Sequence, residues 1–322
     1  MTVNVLITGM GQTIGIGILK ALRMSRLNCR LLGTDCERKS AGLYMADKAF
    51  VVPKASSDVQ EYLKEMAAIC RRERADIVFI GSEPELLIFA PIAEEFTRET
   101  GTCVMVSSDS VIKRITDKWE LFKFLSGEGF PVPESILPLD DNLNAFADRH
   151  GFPLIIKPRR GYASRSLQVI TNQEELLFYS RTRKDIILQE YIKPDDQEYT
   201  VGVFVTRSGE SRGAIVLRRE LAAGLTFRAE VAQDEEITVL SRRIAERSGV
   251  IGPCNIQLRR SEQGPKVLEI NPRFSSTVPI RAYFGYNEPA MAVGHFVLQK
   301  EITEPPIKKG VALRYWQEIY LP

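Results

Sequence analysis

Histidine is almost absent from this sequence of 322 residues, with only His150 and His295 present. Its five cysteines (Cys29, Cys36, Cys70, Cys103, Cys254) are scattered and odd in number, and no C-x-x-C occurs. Zinc and disulfide frameworks are therefore excluded, and no cysteine–histidine pair offers itself for glutamine hydrolysis. No apolar run is long enough to cross a bilayer, and Met1-Thr2-Val3-Asn4 enters a strand without a basic segment and apolar core ahead of it. The expected compartment is the cytoplasm, with thiols reduced and no membrane partner. No block of like charge occurs, and 43 Lys and Arg face 41 Asp and Glu, so a nucleic-acid partner is not indicated. A Walker loop, G-x-x-x-x-G-K-[ST], is missing, as are internal repeats. The remainder, 44% hydrophobic and 26% charged, is the composition of a globular chain long enough for two domains.

Alternation organises the first hundred residues. Apolar Val3 to Thr8 runs into Gly9-Met10-Gly11-Gln12-Thr13-Ile14-Gly15, a helix-like segment to Met24, and a second apolar run, Cys29 to Thr34, closed by Asp35. Strands at Phe50 to Pro53, Ile77 to Gly81 and Cys103 to Ser107 alternate with helices at Val59 to Arg74 and Glu85 to Thr97. A parallel sheet with helices on both faces, a Rossmann-like α/β domain over residues 1–107, is expected. The glycine turn with Asp35 invites an NAD(P)-dependent oxidoreductase reading, but its spacing is G-x-G-x-x-x-G, with Ile14 where the third glycine belongs. Glycines that merely allow a tight turn and close helix packing are the competing account.

Residues 108–322 change texture. A helical stretch, Ser110 to Gly127, is stopped by Pro131 and Pro133. Strands follow at Leu154 to Lys157, Leu167 to Thr171, Ile186 to Glu190, Tyr199 to Thr206, Gly213 to Arg219 and Thr226 to Val231. Helices Gln173 to Ser180 and Asp234 to Ser248 separate them, which predicts an α+β arrangement with antiparallel sheets. The apolar stretch Ala290 to Leu298 suits either a homodimer face or a core.

Near the C-terminus, Asn255-Ile256-Gln257 and Glu269-Ile270-Asn271-Pro272-Arg273 flank a short polar turn. A three-residue loop, Glu262-Gln263-Gly264, pairs Gln257 with Glu269 and Asn255 with Asn271 and turns all four to one face, leaving Ile256, Leu258, Leu268 and Ile270 for the core. A two-residue loop slips that register. Oxygen ligands on a rigid strand pair suit Mg²⁺, which shares its coordination with substrate phosphates. Four earlier segments suit the same nucleotide: Lys118 as a point charge on a helix, Lys157 at the end of an apolar strand, the polar loop Arg159 to Ser166, and Glu190 with Glu198 for an adenine edge and ribose hydroxyls. Arg218 and Arg219 are candidates for a substrate carboxylate or the transferring phosphate, with a surface role as the alternative.

Taken in order, Asp117-Lys118, Ile155-Ile156-Lys157-Pro158, Gln189-Glu190-Tyr191-Ile192, Glu198-Tyr199-Thr200-Val201, Asn255-Ile256-Gln257 and Glu269-Ile270-Asn271-Pro272-Arg273 resemble the ATP-grasp superfamily, in its carbamoyl-phosphate-synthase-like branch of carboxylate-amine ligases. The resemblance implies a pre-grasp α/β domain over 1–107 and a two-lobed grasp over 108–322, with a mobile lobe at about 155–206. It implies ATP and Mg²⁺ (or Mn²⁺) as cofactors and small-molecule carboxylate and amine substrates. Lys118 and Lys157 would hold phosphates, Glu190 would meet the adenine amino group beside Tyr191 and the Ile192 backbone, and Glu198 would take the ribose. Gln257, Glu269 and Asn271 would bind a pair of metal ions bridging the phosphates, and Arg273 with Lys157 would act in catalysis on the acyl phosphate. Substrate pockets of this fold lie around loops such as Gly81 to Glu85 and Phe274 to Pro279. Arg159 to Ser166 has one glycine where the family has several, so this loop either closes differently or uses Arg165. The expected activity is conversion of a carboxylate to an acyl phosphate with release of ADP, then coupling to an amine. A nucleotide-binding protein without turnover is the alternative outside enzymes.

Overall fold

The computed structural model describes residues 2–161 and 167–321. Its N-terminal part contains β1 (Val3–Ile7), α1 (Thr13–Arg23), β2 (Cys29–Asp35), β3 (Lys48–Val51), α2 (Val59–Glu73), β4 (Ile77–Phe79), α3 (Glu83–Phe89), α4 (Ala93–Thr100) and β5 (Cys103–Met105). The strands pair in parallel in the order β3-β2-β1-β4-β5. Helices cover both faces, so the inner strands are apolar throughout rather than alternating. The helix expected over Glu85 to Thr97 is two helices, because Pro91 lacks an amide hydrogen and residues 90–92 form a 3₁₀ turn.

The glycine turn is structural. Both carboxylate oxygens of Asp35 are engaged within it, accepting from the Gly11 amide at 2.6 Å, the Glu37 amide at 2.9 Å and the Ser40 hydroxyl at 2.8 Å. That carboxylate is not free to hold a ribose. A Cβ on Gly15 would lie 2.6 Å from the Gly9 carbonyl oxygen, and one on Gly81 2.0 Å from that of Thr8. Close backbone packing therefore accounts for these glycines, and the nicotinamide reading fails on the use already made of Asp35.

Two helices replace the single one expected over Ser110 to Gly127: α5 (Asp109–Thr116) and α6 (Lys118–Gly127). Between them Asp117 is extended (φ −93°, ψ 110°) and caps α6, accepting from the Trp119 and Glu120 amides at 3.0 and 3.3 Å. Arg159 clamps the same carboxylate at 2.7 Å. The break is what puts Lys118 at the start of a helix facing the cleft.

A small antiparallel sheet follows, in the order β6-β9-β7-β8, from β6 (Ser135–Ile136), β7 (Leu154–Pro158), β8 (Gln168–Ile170) and β9 (Ile186–Glu190). Its helices α7 (Leu143–His150) and α8 (Gln173–Thr182) enclose a separate core with Leu154, Ile156, Ile170, Leu176 and Leu188. A larger antiparallel sheet, in the order β14-β13-β10-β11-β12-β15, uses β10 (Glu198–Val205), β11 (Ser211–Ala222), β12 (Leu225–Val231), β13 (Gly252–Ser261), β14 (Gly264–Asn271) and β15 (Val311–Leu313). Helix α9 (Glu235–Arg247) packs with α5 and α6 on one face of this sheet. Short helices α10 (Val278–Tyr283) and α11 (Glu288–Ala292) lie on the other. The lobe expected at about 155–206 is thus displaced: β10 is an inner strand of the larger sheet, while β6 and α7 join the smaller one.

One continuous core links the N-terminal sheet to the larger antiparallel sheet, joining Val5, Ile7 and Phe79 to Phe204, Leu217, Phe274 and Val278. Met291, Ala292, Val293 and Phe296 belong to it. The Ala290 to Leu298 stretch therefore contributes chiefly to this core, with Val297 and Leu298 partly exposed at its edge.

Candidate active site

The hairpin of β13 and β14 reaches the expected pairing by an unexpected route. Ser261 pairs with Gly264, so the loop has two residues, Glu262 and Gln263, and Gly264 sits at φ +103°. A bulge then inserts Leu268, and beyond it Gln257 faces Glu269 and Asn255 faces Asn271. Val267, 3% exposed, takes the core place expected for Leu268, which turns into the cleft beside Lys157 and Gln189. Ile256, Leu258 and Ile270 are buried as their alternation demands.

Polar side chains stand in rows across this face. Glu198 on β10 is flanked by Arg219 of β11 and Arg259 of β13, whose guanidinium nitrogens approach it to 2.6 and 3.0 Å. Burial works against its charged form, but the two arginines outweigh burial and hold the carboxyl below its usual range. Arg219 also donates to the Gln257 Oε1 at 2.8 Å. Arg218, by contrast, points outward, 3.9 Å from Asp196. Among the described residues Glu269 has no hydrogen-bond or ion-pair partner for its side chain.

Across the cleft, Lys157 on β7 donates to the Gln189 Oε1 at 2.6 Å. Burial lowers its pKa to about 8; Glu269 opposes the shift, and Lys118 and Arg259 add to it. Lys118 donates to the Gly161 carbonyl at 2.9 Å. Residues 162–166 of the proposed phosphate loop, including Ser164, Arg165 and Ser166, lie outside the described residues.

One assignment is corrected. Alternation along β9 sends Ile187 and Gln189 into the cleft and turns Glu190 to the opposite face, where it accepts from the Glu134 amide at 2.8 Å and pairs with Lys266. The Glu190 carboxylate therefore does not face the cleft; Gln189 does. Tyr191 is tied through its hydroxyl to Asp195 at 2.6 Å, and the Ile192 carbonyl accepts from Arg259 at 2.9 Å.

The cleft divides into two cavities that share Lys118. One, a narrow space, is walled by Phe122, Val132, Ile187, Gln189 and Leu268. The other, equally narrow, gathers Glu269, Asn271 and Arg273 against Glu83 from the start of α3. Arg273 donates to Asn271 at 2.9 Å and meets Glu83 at 3.1 Å. Beneath this end, the fully buried Arg281 lies flat on Gly202, where a Cβ would be 2.5 Å from its guanidinium. It binds Asn255, Thr200 and the equally buried Glu288, the last at 2.9 Å.

Gln189, Arg281 and Glu288 were not legible as site residues, and Glu83 only as part of the substrate-pocket loop Gly81 to Glu85. Arg259 carried a signal, since it stands two residues after Gln257 and so shares its face.

A parallel-sheet domain followed by two antiparallel sheets, with Lys157 of the smaller sheet facing Glu269 of the larger across a cleft, is the ATP-grasp fold. Residues 182–319 match the family described as ATP-grasp in the biosynthetic pathway with Ter operon, and residues 5–105 match the PylC-like N-terminal domain. Solved structures agree in fold. The N5-carboxyaminoimidazole synthetase of Staphylococcus aureus complexed with ADP is 14% identical at a TM-score of 0.74, covering 97% of this chain and 82% of that one. The N5-carboxyaminoimidazole ribonucleotide synthetase of Thermotoga maritima is 19% identical at 0.66, covering 96% and 79%. The biotin carboxylase domain dimer of Hydrogenobacter thermophilus 2-oxoglutarate carboxylase, in complex with MgADP and bicarbonate, is 16% identical at 0.73, covering 96% and 73%. Among the described residues no helix is long and apolar enough to cross a membrane.

Proposed function

We propose that this protein is an ATP-dependent, ADP-forming ligase that activates a substrate carboxylate as an acyl phosphate and couples it to an amine. The observation that carries this reading is the alignment, on one face of the β13–β14 hairpin, of Gln257, Glu269 and Asn271 opposite Lys157 and Lys118. Adenine is assigned to the apolar side of the cleft between Ile187, Val132 and Leu268, which has to open to admit it; Glu198 meets the ribose only by giving up part of its pairing with Arg219 and Arg259. Lys118 and Lys157 then flank the phosphates.

The donor set fits a hard divalent cation. Glu269 brings a carboxylate with no partner among the described residues, and Asn271 and Gln257 bring amide oxygens, so phosphates and water must complete the shell. Mg²⁺ held there would offset charge on the phosphates. Because the protein supplies one carboxylate and Arg219 already donates to Gln257, its own charge matches a single ion.

The chemistry is then positioning and electrostatics. A carboxylate oxygen attacks the γ-phosphorus as the bond to the β-phosphate oxygen breaks and ADP leaves. Lys157 and Arg273 offset charge on the transferring group. An amine next attacks the acyl carbon and phosphate departs, while the small sheet, closed over the cleft, keeps water out.

Incubation with MgATP, an acid panel and hydroxylamine tests this, since hydroxylamine traps an acyl phosphate whichever amine is natural. Acyl hydroxamate and ADP are expected in equal amounts. Glu269→Ala is expected to lower the rate by roughly 10²-fold while leaving the circular dichroism spectrum unchanged. Full turnover in that variant at ordinary Mg²⁺ removes Glu269 from the site.

A further inference from the structure

We propose that the activated carboxylate belongs to an α-amino acid, bound as its zwitterion between Arg273 and Glu83. The inference rests on the ligase reading and adds the class of substrate.

Four charged side chains line the cavity at the hairpin end: Lys118, Glu269, Arg273 and Glu83. Three have tasks in the proposed reaction, at the phosphates, the metal and the acyl group. Glu83 has none. It comes from the N-terminal domain, and its Oε2 lies 3.1 Å from Arg273, with both side chains only 12% exposed. Among the described residues Arg273 is its one ion-pair partner.

Arg273 cannot serve two carboxylates equally. The Arg273 nitrogen that meets Glu83 also donates to Asn271, and the other terminal nitrogen donates to the Phe274 carbonyl at 3.1 Å. When a substrate carboxylate takes these donors, Glu83 is left nearly buried without its counter-charge, which is costly. A substrate carrying its own cation removes that cost by pairing with Glu83. Because Glu83 and Arg273 are in direct contact, the substrate's ammonium and carboxylate must also be close together, as they are on a single carbon. The ammonium stays protonated beside Glu83 and is no nucleophile, so the coupling amine comes from a separate molecule. Neutral and purely anionic acids leave Glu83 unpaired.

The test uses the full chain with MgATP, hydroxylamine and matched acids: alanine against propanoate, glutamate against glutarate, lysine against 6-aminohexanoate. The best α-amino acid is expected to exceed its partner by about 10²-fold in kcat/KM, the scale of one buried charge pair. Glu83→Gln is expected to bring the two sets level, and Glu83→Asp to keep the preference. Equal rates for both sets in the unmodified protein overturn the inference and leave the ligase reading standing. So does a preference that survives Glu83→Gln. Hydroxamate from no acid at all, in protein that binds MgADP, overturns the ligase reading and this inference with it.

Discussion

Lys157 shows how one side chain is set by its surroundings. Burial lowers its pKa to about 8, so at neutral pH most molecules carry the charge that a triphosphate needs. In an unfolded chain a lysine titrates near 10.4. Above pH 8 the folded protein therefore sheds this proton before the unfolded chain does. Stability is expected to rise between about pH 8 and pH 10 from this residue, because there the unfolded chain binds more protons. Affinity for MgATP moves the opposite way over the same interval. Titration calorimetry at pH 7 and pH 9 checks this: weaker binding is expected at the higher pH, and Lys157→Arg, which keeps its charge, is expected to flatten the difference. A pH-independent affinity in the unmodified protein contradicts the assignment.

Element by element, the site depends on small irregularities. The Leu268 bulge alone brings Glu269 and Asn271 to the face of Gln257, because side chains alternate and a single residue reverses them. Deleting Leu268 leaves the two-residue loop and the Val267–Leu258 pair in place and, with the extra residue gone, keeps Glu269 opposite Gln257 on the same face. Mg²⁺-dependent nucleotide binding is expected to survive, weakened about tenfold by loss of the Leu268 side chain from the cleft wall, with stability lowered by roughly 1 kcal/mol. Chemical denaturation and nucleotide titration read both effects. The Arg281–Glu288 pair beneath β10 and β13 offers a second case. Arg281→Met is expected to cost about 3–5 kcal/mol, since it strands Glu288 fully buried. Replacing both by Met and Leu is expected to restore much of that stability, yet to leave Asn255 and Thr200 without the guanidinium that aligns them. Recovery of stability without recovery of kcat would mark Arg281 as a positioning residue; recovery of both would make it structural only.

For the molecule as a whole, the division of cores decides what can move. The N-terminal sheet and the larger antiparallel sheet share one apolar cluster, whereas the small sheet with α7 and α8 has its own. Its ties to the rest are polar, such as Lys118 to the Gly161 carbonyl, Lys266 to Glu190 and Arg159 to Asp117. Such contacts part at lower cost than a shared core, so residues 135–190 are expected to swing as a body. Hydrogen exchange is expected to report lower protection at β7, β8 and β9 than at β10 and β13, and MgATP to raise protection of the small sheet first. Equal protection of both sheets without nucleotide would show a rigid cleft.

Alternation and turn chemistry in the sequence were enough to predict the parallel N-terminal domain, the antiparallel second part, and the sharing of one strand face by Gln257 and Glu269. These are local consequences of period-two and helical patterning, and they survive any packing. The proposed oxygen ligands and Lys157 stand out for the same reason, lying on or at the end of strand runs, whereas Lys118 stands on a helix and is carried by the resemblance. Three things were settled only by the tertiary structure. The bulge that rescues the register is invisible because a loop's length and a bulge's position compensate each other along the chain. The turning of Glu190 away from the cleft depends on which strand lies beside β9, a long-range pairing. The meeting of Glu83 with Arg273 joins residues 190 positions apart, through the packing of two sheets that no local pattern encodes.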